Sequence, residues 1–232
     1  MNTIKNPGRF AGLLYVVMSI FGFFAMGYVP NKLIVHGDAA ATANNISASE
    51  TLFRLGIASQ LIGMAGFIFV ALALYELFKG VNQRQAALMV ILIVVSIPIA
   101  FLNELNSMAA LLLVQGTDFL SVFEKPQREA LAMLFLNLHG RGLVFAELFW
   151  GLWLLPLGRL VYTSRLLPRF LGVWLALAGF AWVILCFTGI VLPQYVDTMN
   201  TYCQPAILGE IAFMLWLVIK GARPPQLDAA AR

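Results

Sequence analysis

Residues 86–114 read AALMVILIVVSIPIAFLNELNSMAALLLV, and this stretch decides the class of fold. A single ionisable side chain, Glu104, interrupts it. A helix of about 20 apolar residues crosses the roughly 30 Å of hydrocarbon in a bilayer. The stretch therefore predicts a helix that spans a membrane.

The composition of the whole chain agrees with this prediction. Of its 232 residues, 61% are hydrophobic and 11% are charged, whereas soluble domains contain about 25% charged residues. The alternating pattern of a membrane barrel is missing from the sequence. The net charge of +4 comes from basic residues that occur singly, which argues against a nucleic-acid partner. We expect an all-α, polytopic protein surrounded by membrane lipids.

The same criterion predicts a six-helix bundle. Glycine or proline ends each apolar run, and the spans fall at about 10–29, 51–78, 86–114, 130–157, 169–192 and 204–220. The first span is longer than the apolar part of a signal peptide and lacks a cleavage site, so we interpret it as a retained helix. We predict one transmembrane domain over residues 1–221 and a disordered cytoplasmic tail over residues 222–232.

Basic residues predict the orientation of these spans. If the N-terminus is cytoplasmic, the inner segments contain ten of them: Lys5, Arg9, Lys79, Arg84, Arg159, Arg165, Arg169, Lys220, Arg223 and Arg232. The outer loops then contain four: Lys32, Arg54, Lys125 and Arg128. Because cytoplasmic loops are enriched in Lys and Arg, both termini are predicted to lie in the cytoplasm.

Short matches between spans suggest an internal repeat. Residues 9–12 read RFAG and residues 169–172 read RFLG, while the fourth and sixth spans share Glu-x4-Leu-Trp-Leu. Either the chain contains three similar helical hairpins in tandem, or these matches arise by chance among helices of similar composition. The matching carboxylates, Glu147 and Glu210, are predicted at one depth near the bilayer centre.

A layer of polar residues is predicted in the outer third of the membrane. The third and fourth spans supply Asn103, Glu104, Asn106, His139 and Arg141, and the second span adds Ser59 and Gln60. An ionisable group at such depth costs about 2.5–3.5 kcal/mol unless it finds a partner. We predict that Glu104 pairs with Arg141. Pro98 and the two glycines beside Arg141 favour an irregular backbone and a cavity at this level.

Three functions are compatible with these residues. In the first, the protein binds a small molecule or lipid, for sensing or transport, in an outward-facing polar pocket. The walls of this pocket are predicted to be Asn103, Glu104, Asn106, His139 and Arg141. Its floor is predicted to be Glu147 and Glu210. In the second, His139 or the two midplane glutamates act as general acid and base in an intramembrane enzyme. In the third, the polar residues only hold helices together within an accessory subunit.

Reaction motifs give no further help. The sequence contains no P-loop, no Gly-x-Ser-x-Gly and no His-Glu-x-x-His. Two histidines cannot form a three-histidine zinc site. We therefore predict neither a metal nor a cofactor, and we name no catalytic residue or protein partner.

Several short stretches together resemble a known family. They are residues 28–30 (YVP), 37–43 (GDAAATA), 49–56 (SETLFRLG), 105–106 (LN), 151–158 (GLWLLPLG) and 167–172 (LPRFLG). With them the chain is similar to the bacterial integral-membrane family called domain of unknown function 4386 (DUF4386). The resemblance covers nearly the whole chain. It implies a multi-span protein of a bacterial inner membrane, and it assigns no catalytic residues.

Overall fold

The structure, a computed structural model, describes residues 6–222. Almost all of these residues are helical, and the described part of the chain contains no strand. The tail predicted over residues 222–232 lies outside the described residues except for Ala222. That residue is buried, and its carbonyl oxygen accepts a hydrogen bond of 3.1 Å from Nδ2 of Asn6.

Within residues 6–222, six helical stretches are long and apolar enough to cross a membrane, which confirms the predicted six-span architecture. The first stretch, Pro7–Leu33, joins α1, a π-helical turn and α2. The helices are α1 (Pro7–Phe23), α2 (Val29–Leu33), α3 (Ala39–Ala48), α4 (Glu50–Phe78), α5 (Gln83–Gln115), α6 (Lys125–Ser164), α7 (Arg169–Val191) and α8 (Val196–Ile219).

Pro30 does not end the first span as predicted. The π-helical turn Phe24–Tyr28 precedes it, and the N–H of Val29 bonds to the carbonyl of Phe24, five residues back. Pro30 then lies in the first turn of α2, where a missing N–H costs little. The helical path therefore continues past the proline to Leu33.

Gly158 does not end the fourth span either, because it is a packing residue inside α6. A Cβ atom at Gly158 would lie 2.7 Å from the carbonyl oxygen of Gly172. A Cβ atom at Gly151 would lie 2.5 Å from the carbonyl oxygen of Gly179. The glycines are seven residues apart on both helices. They let the backbones of α6 and α7 approach closely, as small residues do in membrane proteins.

The sixth span begins earlier than predicted. α8 starts at Val196 and contains Pro205 in its interior. The carbonyl of Pro205 accepts a 2.9 Å hydrogen bond from Nε1 of Trp174 on α7. By contrast, Gly116 and Gly221 follow the ends of α5 and α8 as expected, because their positive φ angles of 65° and 71° suit glycine.

The chain divides into two compact units. Unit 1 consists of the described residues of Met1–Val16, Phe67–Val94 and Glu147–Arg232, and unit 2 consists of Val17–Gly66 and Val95–Ala146. The single domain expected over residues 1–221 stays a prediction. The residues of the predicted polar layer belong to unit 2, whereas Glu147 and Glu210 belong to unit 1.

Candidate functional site

The strongest polar contact of unit 2 joins Glu104 on α5 to His139 on α6. Oε1 of Glu104 lies 2.8 Å from Nε2 of His139, and the glutamate is only 6% exposed. The predicted pairing of Glu104 with Arg141 is therefore wrong. Residues two apart on an α-helix point about 200° apart. When His139 faces Glu104, Arg141 points elsewhere, and its side chain is exposed.

Asn103 and Asn106 support this pair. Nδ2 of Asn103 donates a 2.9 Å hydrogen bond to the carbonyl of His139, and Nδ2 of Asn106 lies 3.2 Å from Oδ1 of Asn103. Asn103 fits against α6 because Gly142 has no side chain at the point of contact. Asn103 therefore joins α5 to α6 next to His139, and Asn106 supports Asn103 from within α5.

A cavity of about 50 Å³ adjoins the Glu104–His139 pair. Its polar lining consists of Gln60, Glu104, Ser107 and His139, while Met26, Val29, Leu33, Phe53 and Leu136 supply much of its apolar wall. One water molecule needs about 10–15 Å³ by this measure. The cavity therefore has room for a few water-sized groups, and all of its lining belongs to unit 2.

Gln60 is the least satisfied side chain at this cavity. It is 3% exposed, and neither its Oε1 nor its Nε2 has a hydrogen-bond partner among the described residues. A buried polar group without a partner costs about 1–3 kcal/mol. This amide therefore offers one donor and one acceptor function to a molecule in the cavity.

Sequence reasoning missed part of this lining. The sequence predicts Gln60 in the polar layer but not among the site residues, and it gives no prediction for Ser107. The spacing of Ser107 was a usable signal, because it follows Glu104 by three residues and such positions share a helix face. The sequence contains no such signal for Gln60, because only the packed helices show that its amide has no hydrogen-bond partner.

Unit 1 contains a different polar pair. The hydroxyl of Tyr15 donates a hydrogen bond to Oε1 of Glu210. Tyr15 is 3% exposed and packs edge-on against Phe67, with 5.1 Å between ring centroids. The indole of Trp182 lies near Glu210, although its N–H has no hydrogen bond of normal geometry. Glu210 is thus held by aromatic side chains.

Glu147 has a sparser environment than Glu210. It is partly buried and lies beside the buried thiol of Cys186. Among residues 6–222 we find no hydrogen bond or ion pair to its carboxylate, and none that joins it to Glu210. A role for these glutamates as the floor of the pocket stays a prediction. No group of three potential metal ligands occurs in the described chain.

Comparison with known families gives a match over nearly the whole chain. The model of the family described as "Domain of unknown function (DUF4386)" matches residues 10–221. The chain belongs to the DUF4386 family. An "Uncharacterized protein" of Archaeoglobus fulgidus is 35% identical over 79 residues, which cover 33% of this chain and 44% of that relative. The match thus spans less than half of the relative's length. No solved structure matches this DUF4386 protein.

Proposed function

We propose that this DUF4386 protein binds a small molecule, or the headgroup of a lipid, in the cavity lined by Gln60, Glu104, Ser107 and His139. The observation that carries the proposal is the buried, unpartnered amide of Gln60 beside that cavity. Native proteins rarely leave such groups unsatisfied. A bound ligand gives this amide the partners that the surrounding chain does not supply.

The lining restricts the chemistry of the ligand. A group that carries a donor and an acceptor side by side, such as an amide, a carboxylic acid or an alcohol, satisfies both ends of the Gln60 amide. The Ser107 hydroxyl and the Glu104–His139 pair add further polar contacts. Because the cavity is small, we propose that it takes one polar group of the ligand. Sensing and transport are both compatible with such binding.

Two residues of the predicted site support the cavity indirectly. Asn103 joins α5 to α6 through the carbonyl of His139, and Asn106 bonds to Asn103 within α5. The exposed side chain of Arg141 and the two glutamates of unit 1 are not part of the cavity lining. We therefore base the binding proposal on the four lining residues.

An acid–base enzyme is the second candidate, and the Glu104–His139 contact favours it. A carboxylate that holds an imidazole in one orientation is a common feature of general bases. In that case the His139→Gln variant should retain a bound molecule whose mass differs from that on the wild type, because the substrate is no longer converted. Identical masses on both proteins would argue for binding alone.

Native mass spectrometry of protein released gently from its own membrane tests the binding proposal. The wild type should carry a discrete adduct that Gln60→Met lacks. Gln204→Met makes the same chemical change at an exposed position of α8 and should keep the adduct. Wild-type protein that is folded but bare would contradict the proposal and favour an accessory role.

We further propose that both termini are cytoplasmic, on the basis of the ten-to-four distribution of basic residues. Residence in an inner membrane is proposed from the resemblance to the DUF4386 family. Val122, between α5 and α6, is 79% exposed, and Val81 lies in the turn between α4 and α5. A membrane-impermeant maleimide applied to intact cells should label Val122→Cys but not Val81→Cys. The reverse pattern would overturn this orientation.

A further inference from the structure

A second polar pocket of unit 2 lies between three of its helices. It has a volume of about 80 Å³ and is lined by residues of α3, of the last turn of α5 and of the first turns of α6. α3 follows the first span and α6 begins the fourth, so these segments lie on one side of the membrane. This pocket shares no lining residue with the cavity beside Gln60. The polar part of its lining consists of Asn44, Ser47, Lys125, Arg128 and Glu129.

The charges of this lining do not balance. Nζ of Lys125 lies 3.7 Å from Oε1 of Glu129, so these two side chains form an ion pair. Arg128 has no such partner among residues 6–222, since none of their carboxylates forms an ion pair with it. Its Nε is buried and has no hydrogen-bond partner there either. The pocket therefore keeps one uncompensated positive charge.

The position of Arg128 depends on a glycine at the end of α5. Gly116 has a φ of 65°, and a Cβ atom at this position would lie 2.7 Å from Cζ of Arg128. The glycine therefore makes room for the guanidinium. The hydroxyl of Thr117, the next residue, is also buried and has no hydrogen-bond partner in the described chain. Native proteins rarely leave such groups unsatisfied, so both groups call for an acceptor that the chain itself does not supply.

We propose that this pocket binds a phosphate group, carried by a free phosphate or by the headgroup of a phospholipid. A guanidinium binds phosphate oxygens through two parallel hydrogen bonds, and Lys125, Asn44 and Ser47 can donate further ones. One water molecule needs about 10–15 Å³ by the same measure, so a pocket of about 80 Å³ accommodates the oxygens of a phosphate. These oxygens point in different directions and can reach donors on both α3 and α6. The coplanar oxygens of a carboxylate match that arrangement less well.

The binding of two probes to the full-length protein tests the proposal. In a maltoside detergent, titration calorimetry measures the affinity for inorganic phosphate, with chloride added to hold the ionic strength constant. Native mass spectrometry measures the binding of dioleoyl phosphatidylglycerol, and dioleoylglycerol, which lacks the phosphate, should not bind. We expect the wild type to bind at least one phosphate probe, and Arg128→Gln to weaken that binding about tenfold or more. Arg84→Gln makes the same change at an exposed position of α5 and should bind like the wild type.

Variants at the two neighbouring charges sharpen the result. Lys125→Gln alters a side chain that is 69% exposed, so it should fold normally and weaken binding about threefold or more, even if Arg128→Gln does not fold. Glu129→Gln removes the negative charge of the lining and should strengthen binding about threefold. Affinity for inorganic phosphate assigns the site to a free phosphate, and binding of phosphatidylglycerol alone assigns it to a lipid headgroup. Absence of both, or binding that Arg128→Gln leaves unchanged in folded protein, would overturn the proposal.

Discussion

Glu104 and Glu210 are both carboxylates within membrane-spanning helices, yet their surroundings differ in kind. Glu104 pairs with an imidazole at a cavity whose lining includes an unpartnered amide. Glu210 accepts a hydrogen bond from Tyr15, whose ring packs against Phe67 and Trp153. Under the binding proposal, unit 2 leaves polar groups for a ligand, whereas the polar pair of unit 1 joins helices.

The largest expected effect comes from the glycine packing of unit 1. In Gly158→Leu, the new Cβ atom would lie 2.7 Å from the carbonyl oxygen of Gly172. Such overpacking of a close helix contact should lower the free energy of unfolding by about 3 kcal/mol or prevent folding. Thermal unfolding of purified protein measures this. Gly22→Leu, with no atom within 4 Å of its Cβ position, is the matched control and should unfold near the wild-type temperature.

Loss of the Glu104–His139 pair should have the second-largest effect on stability. Glu104→Gln and His139→Asn should each lower the free energy of unfolding by about 1–3 kcal/mol, because each change weakens a buried hydrogen bond. The double variant should recover about 1 kcal/mol relative to the sum of the singles. A double-mutant cycle in mild detergent measures the coupling. The same cycle between Glu104→Gln and Arg141→Gln should be additive, and coupling there would contradict the observed pairing.

Tyr15→Phe should have a smaller effect, confined to stability. It removes one hydrogen bond from Glu210 and preserves the packing of the ring, so the free energy of unfolding should fall by about 1–2 kcal/mol. Thermal unfolding measures the loss, and native mass spectrometry should show the adduct of the wild type still in place. Loss of that adduct in Tyr15→Phe would mean that unit 1 takes part in binding.

The smallest effect on stability is expected for Gln60→Met. The substitution removes two buried polar atoms without partners and keeps a side chain of similar size. Such a change should leave the free energy of unfolding of ligand-free protein unchanged or raise it by up to about 1 kcal/mol. Denaturation after removal of the ligand measures this. A loss of 2 kcal/mol or more would show that the Gln60 amide already has protein partners.

The sequence predicted the helices well because membrane spans follow from apolar length alone. The prediction failed at the ends of some spans, because a glycine or proline can either end a helix or lie within one. The pattern predicts helix ends at Gly158 and Pro30, but Gly158 packs against α7 and Pro30 follows a π-helical turn. Gly116 and Gly221 were interpreted correctly, since they take the positive φ that follows a helix. Local sequence does not separate these uses, because packing depends on the neighbouring helix.

The residue types that line the candidate cavity were partly predictable from the sequence, but their contacts were not. Glu104 was expected to need a partner, and it has one. Charge alone favoured Arg141 over His139, and depth could not separate them because they are two residues apart. The rotation of α6 about its axis decided between them, and it is set by packing such as the contact of Gly142 with Asn103.

An experimental structure of the wild-type protein, extracted with its native lipids and never exposed to harsh detergent, tests the binding proposal most directly. We predict non-protein density in the cavity of unit 2, within hydrogen-bond distance of both Oε1 and Nε2 of Gln60 and in contact with the Glu104–His139 pair. An empty cavity, with the Gln60 amide turned to bond with the protein's own groups, would contradict the account.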